Sequence, residues 1–229
     1  MPSTYASEGG FIICRPQRHF FKMGDVQGLT LMSDLHIGAR DVDYKLIEKE
    51  LATAKEKGDR VLINGDVFDM ILPKDAKRFR PDVLHEDLLG RNDVINAAVE
   101  MAADIFVPYA TLIDMIGTGN HEDSVSKYHS IDPILVLVDK LRGGLPQETA
   151  YNLHYGGYTG FVDYRFSRKV QADRYSDTRR FVVYYHHGSG AAAPVTKGMI
   201  DFARKQWVSA DVIWMGHKHN RWNAHAREM

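Results

Sequence analysis

Short apolar runs recur along the chain, and each is closed by a cluster of small or polar residues. Residues 29–32, 60–63, 112–116, 181–185 and 211–215 predict five strands of this kind. Helical spacing appears between them. Over 43–57 it sets Tyr44, Ile47, Leu51 and Ala54 on one face, and Gly58 ends the helix. Over 93–106 it runs through Val94, Ala97, Ala98, Met101 and Ile105. Asp132 reads as a cap and Pro133 as a first helical position, opening a helix over 134–141. A further helix is predicted over 196–207, through Met199, Ile200, Ala203 and Trp207. The glycines and aromatics of 151–168 suggest a hairpin. Residues 73–91 are polar, basic and irregular, and read as a loop or cap insertion. Strands alternating with helices imply an α/β fold. In such folds sites collect at the carboxyl ends of strands, where all five polar clusters fall.

At 229 residues the chain is expected to form one domain with a sizeable core. Cys14 is its only cysteine, which forbids an intramolecular disulfide and fits a reducing compartment. The 29 basic and 30 acidic residues leave no net field to draw in nucleic acid or anionic lipid. No apolar run approaches the roughly 18 residues of a membrane span. Residues 1–10 lack the basic start and apolar middle of an export signal. A cytoplasmic protein without membrane contact is expected.

The 11 histidines change the picture, because they gather with Asp and Asn at the strand ends. Asp34 and His36 follow the first strand, Asp66 and Asp69 the second, Asn120 and His121 the third. His186 and His187 follow the fourth, His217 and His219 the fifth. Carboxylate oxygen and imidazole nitrogen are what divalent transition metals take at a hydrolytic site. Chance does not supply the set. Given this composition Asp-x-His is expected about once by accident, but Gly-Asn-His-Glu or Gly-Asn-His-Asp only on the order of 0.004 times.

The ordered motifs Asp34-x-His36, Gly65-Asp66-x-x-Asp69, Gly119-Asn120-His121-Glu122, His186 and Gly216-His217-x-His219 resemble the calcineurin-like metallophosphoesterase superfamily. The resemblance spans about residues 29–220 and implies a four-layer α/β/β/α sandwich of two mixed sheets. It implies two metal ions, one held by Asp34, His36, Asp66 and His219, the other by Asp66, Asn120, His186 and His217. The second set takes the first residue after the strand, His186, with His187 as its alternative. His121 is implied to face the phosphate and assist the leaving oxygen, with Asp69 orienting it. Imidazole and carboxylate ligands admit Mn, Fe, Zn, Ni or Co, and Mn is the favoured expectation.

Two features depart from the family pattern. Met70 stands where its protein phosphatases carry a phosphate-binding arginine. Ten residues follow His219 where family members continue with further strand, so the expectation is either a chain truncated after its last motif or a domain built without those strands. The function expected is hydrolysis of a phosphodiester, of nucleotide or nucleic-acid type, by a metal-activated water. A phosphomonoesterase and a non-catalytic interaction scaffold on the same fold are the alternatives. His186-His187-Gly188 is also similar to the nuclease subunits of double-strand-break repair complexes. Lys74, Lys77, Arg78 and Arg80 are read as a solvated face rather than a phosphate grip. Glu122 and Asp123 are read as the acidic start of a helix.

Overall fold

The apolar runs pair through their backbones into two sheets. The computed structural model describes residues 5–6, 12–14, 19–20, 24–69, 72, 81–171, 174–190 and 208–219. Its strands are β1 (Tyr5–Ala6), β2 (Ile12–Cys14), β3 (His19–Phe20), β4 (Leu29–Met32), β5 (Arg60–Ile63), β6 (Ile113–Gly117), β7 (His154–Gly157), β8 (Thr159–Gln171), β9 (Arg174–His186) and β10 (Val212–Met215). The helices are α1 (Tyr44–Lys57), α2 (Val94–Phe106), α3 (Asn120–His129), α4 (Pro133–Gly143) and α5 (Gln147–Ala150).

One sheet has the order β4-β5-β6-β7, and every neighbouring pair in it is parallel. Parallel neighbours need a crossover, and the helices provide it: α1 joins β4 to β5, α2 joins β5 to β6, and α3 to α5 join β6 to β7. The other sheet runs β1-β2-β8-β9-β10, with β3 beside β8. It mixes antiparallel β8/β9 with parallel β9/β10 and β2/β8. The chain is therefore α/β, with one parallel and one mixed sheet where two mixed sheets were expected.

Caps fix the helix ends as the sequence implies. The Asp43 carboxylate accepts the Leu46 N–H at 2.9 Å, and Gly58 closes α1 at φ 71°. Asp132 accepts the N–H groups of Ile134 and Leu135, with Pro133 in the first turn of α4. Leu51, Val99, Phe106 and Leu137 from the helices pack with Ile63 and Ile116 of the parallel sheet. On that sheet's opposite face Leu62 and Met115 pack with Val162, Tyr164, Val183 and Tyr185 of the mixed sheet. A polar network crosses the same interface. Asp114 of β6, fully buried, accepts from Arg60 Nε at 3.0 and 3.1 Å and from the Tyr164 hydroxyl at 2.9 Å.

Some expectations are corrected. Residues 151–168 do not form a hairpin: β7 joins the parallel sheet beside β6, and β8 pairs antiparallel with β9 instead. β9 is longer than its apolar stretch and continues through His186. Within 73–91, the described part holds two single 3₁₀ turns, Pro81–Val83 and Glu86–Leu88. The helix expected over 196–207 and the basic residues Lys74, Lys77, Arg78 and Arg80 lie outside the described residues. Among the described residues no helix is long and apolar enough to cross a membrane.

Candidate metal centre

Parallel pairing brings the strand ends into step: Met32 lies opposite Ile63, Ile63 opposite Ile116, and Met215 opposite His186. The loops that follow are tied to one another by their backbones. Asp34 N–H donates to Gly65 O at 3.1 Å and His36 N–H to Asp66 O at 3.0 Å. Ile37 N–H donates to Val67 O at 2.7 Å, and Asp69 N–H returns to Ile37 O at 2.9 Å. The Asp34 carboxylate accepts the His217 N–H at 2.9 and 3.1 Å, which joins the mixed sheet to the parallel one at this end.

Close approach is bought with glycine. A Cβ on Gly119 would stand 2.2 Å from Asp66 Oδ1 and 2.3 Å from Asp66 N. One on Gly65, which has φ 71°, would meet His187 Nδ1 at 2.6 Å. The residues that carry chemistry are held in a less common backbone state. Among the described residues six non-glycines have positive φ, and five are Asp34 (56°), His36 (50°), Asp66 (44°), His217 (71°) and His219 (49°). The sixth, Ser130, ends α3. A left-handed L-residue costs roughly 1–2 kcal/mol. Such residues persist where their surroundings over-determine them, and they gather at functional sites.

Three groups of side chains bring their ligand atoms within 4.8 Å of one another: Asp34, His36 and His219; His36, Asp69 and His121; Asp66, His187 and His217. In the first, His219 Nε2 lies 3.5 Å from Asp34 Oδ1 and 3.4 Å from His36 Nε2. In the second, His121 Nδ1 lies 2.9 Å from Asp69 Oδ1. In the third, His187 Nε2 lies 3.1 Å from Asp66 Oδ2. His121 Nε2 reaches to 3.9 Å from that same Asp66 oxygen, so Asp66 stands between two imidazoles.

Of the two neighbouring histidines, the geometry brings His187 rather than His186 into a ligand group. His186 Nδ1 turns back to accept the Gly188 N–H at 2.8 Å, and His187 is the residue that meets Asp66 and His217. Tyr158 packs edge-on against both rings, and its hydroxyl donates to Gly188 O. Asn120 opens α3, and its Oδ1 is buried without a hydrogen-bond partner.

The remaining nitrogens are oriented by backbone carbonyls. His187 Nδ1–H donates to Asn64 O at 2.9 Å, and His217 Nε2–H donates to Gly190 O at 3.0 Å. Each ring then keeps its other nitrogen as a lone-pair donor, the arrangement by which metal-binding histidines are commonly fixed. His187 Nε2, Asn120 Oδ1 and Asp69 Oδ1 are buried and lack hydrogen-bond partners. Unpartnered oxygen and nitrogen atoms gathered in this way could hold a cation.

The charges in the site act on one another. Burial pushes the Asp66 carboxyl up, but the His187 and His121 imidazoles hold it down at about 2. Burial pulls both imidazoles down, yet Asp69 and Asp66 carry His121 above its ordinary value and Asp66 does the same for His187. His36 is lowered, first by burial and then by His121.

Two residues outside the expected set also shape the site. Asn64, fully buried, donates from Nδ2 to His186 O at 3.2 Å while its own carbonyl holds His187. Glu122 does open α3, but it is also fully buried, and it accepts backbone N–H groups from two loops. A carboxylate at the third position after a glycine cap was the signal for Glu122; its burial had none. His154 is also buried.

No protein-family model matches this chain, and no curated protein matches it. Among solved structures, a PfkB family carbohydrate kinase from Listeria grayi aligns over 72% of this chain and 44% of its own length, at 11% identity and a TM-score of 0.28. The aligned part thus spans under half of that kinase chain, and a likeness of this size carries no functional argument.

Proposed function

We propose that this chain is a metal-dependent phosphoesterase of the calcineurin-like type, acting on a phosphodiester of nucleotide or nucleic-acid kind. The observation that carries the reading is the meeting of five strand-end loops in which Asp34, His36 and His219 form one ligand group and Asp66, His187 and His217 another. On this reading the fold is the four-layer α/β/β/α sandwich.

Asp34, His36, Asp66 and His219 would hold one divalent ion, and Asp66, Asn120, His187 and His217 a second, with Mn favoured. Such ions supply Lewis acidity toward phosphoryl oxygens and make water acidic enough to attack near neutral pH. The protein's own groups do the rest. The Asp69 carboxylate stands 2.9 Å from His121 Nδ1 and would orient the ring by charge, with Nε2 3.9 Å from Asp66 Oδ2. Burial lowers the His121 imidazole, but Asp69, Asp66 and Glu122 raise it above its ordinary value, which suits Nε2–H as proton donor to the departing ester oxygen. Met70 in place of an arginine leaves one less cation for a dianionic monoester, which favours the diester.

The test is hydrolysis by metal-free protein reconstituted with Mn²⁺. The panel is bis-p-nitrophenyl phosphate, p-nitrophenyl phosphate, cyclic nucleotides, and single- and double-stranded DNA. Metal-dependent turnover, faster on diesters, is expected. Two bound ions with no turnover on any member would favour the non-catalytic scaffold instead.

A further inference from the structure

We infer that Glu122 is the positioning residue that sets the separation of Asp66 from Asn120 and His121, and so builds the second ion's half of the site. The inference rests on the metal reading above. Helix capping alone asks only that the third residue of a helix reach back to the amide at its cap. Glu122 does this, with Oε2 accepting the Gly119 N–H at 2.7 Å. It then does more. The same Oε2 accepts the Asp66 N–H at 3.1 Å, and Oε1 accepts the Phe68 N–H at 2.8 Å. One carboxylate thereby grips the loop after β5 on both sides of Val67 while anchoring the start of α3.

The tie is closed from the other direction. Asp66 Oδ1 accepts the His121 N–H at 2.9 Å, so the two segments are bonded through the side chain of each to the backbone of the other. Gly119 lets them approach this closely, and Asp66 is held at φ 44° inside the circuit. A helix start in water needs no such depth. Glu122 is fully buried, and burying a carboxylate is costly unless its oxygens are satisfied. Here three backbone donors satisfy them, two from the loop that presents Asp66.

The chemistry of the tie names its test. In Glu122→Gln one acceptor oxygen becomes an NH₂ of nearly the same size, which faces a backbone N–H and cannot accept it. In Glu122→Asp the carboxyl group stays but is one methylene short of the β5 loop. Both variants and the wild type would be stripped of metal, checked by circular dichroism and thermal melting, and titrated with Mn²⁺ by calorimetry. The exchange-coupled Mn²⁺ pair would be followed by electron paramagnetic resonance.

With the metal-free fold retained, the second ion should bind about 10–100-fold more weakly, as when a group behind a ligand is removed. The first ion, which keeps Asp34, His36 and His219, should weaken much less, and the coupled signal should be lost at two equivalents. Unaltered affinity for both ions overturns the inference. Equal weakening of both ions with a lowered metal-free melting temperature also overturns it, as does failure of both variants to fold, since each makes Glu122 a general structural residue. Wild-type protein that binds no Mn²⁺ overturns the metal reading, and this inference with it.

Discussion

His187 Nε2 stands 3.1 Å from Asp66 Oδ2, with both side chains almost wholly withdrawn from solvent, while the adjacent His186 faces Gly188. The two histidines should therefore differ sharply on substitution. His187→Ala is expected to remove the second ion, and His186→Ala to keep two per chain. Elemental analysis after Mn²⁺ loading checks this, and the opposite pattern would return the ligand role to His186.

Asp66 is the one carboxylate with a place in both proposed ligand sets. Asp66→Ala should abolish binding of both ions, whereas Asn120→Ala should weaken mainly one. Calorimetric titration with Mn²⁺ separates the two outcomes. Two tightly bound ions in Asp66→Ala would show that the bridge lies elsewhere.

For His121 the expected loss is kinetic. A general acid contributes about 10²–10⁴ in rate, so His121→Asn should lower turnover by that factor and leave the metal content unchanged. A nitrophenyl diester, whose leaving group needs little help from a proton, should suffer less than an alkyl diester. Equal losses on both would point to phosphate binding rather than proton donation.

Away from the site, Asp114 joins the sheets through Arg60 and Tyr164. Asp114→Ala leaves Arg60 partly buried and unpaired, so it should destabilise the fold by about 3–5 kcal/mol. Replacing the whole network (Asp114→Leu with Arg60→Met and Tyr164→Phe) should recover most of that loss, because well-packed apolar groups often equal a buried ion pair. Denaturant unfolding of metal-free protein measures both. A triple variant no better than Asp114→Ala would mean that the network, and not the unpaired charge, carries the stability.

The parallel sheet is legible because its strands are short apolar runs closed by polar turns. β4 and β5 have the predicted bounds, and α1 and α4 carry the predicted caps. β7 is not legible. Its sequence His-Tyr-Gly-Gly has little apolar pattern, and its partner β6 lies far off in the chain, so local spacing cannot assign it a sheet. That His187 rather than His186 lies beside Asp66 has a simple cause. The rule that the first residue after the strand enters the site holds, but β9 runs one residue past Tyr185, and one residue turns a side chain to the other face. Glu122 was visible as a helix start; what no spacing reveals is that a second loop closes over it.

The two sheets bring unequal chemistry to the candidate centre. The loops of the parallel sheet carry its carboxylates and its amide, whereas those of the mixed sheet bring only the imidazoles of His187, His217 and His219. An ion shared between them would act as a rivet across the interface that Leu62, Met115 and Tyr164 otherwise hold by packing. Heat resistance then becomes a property of the surroundings as much as of the chain. Each tenfold rise in free ion above its dissociation constant would add about 1.4 kcal/mol per site to the folded state, so ion supply would set how long the two halves stay together.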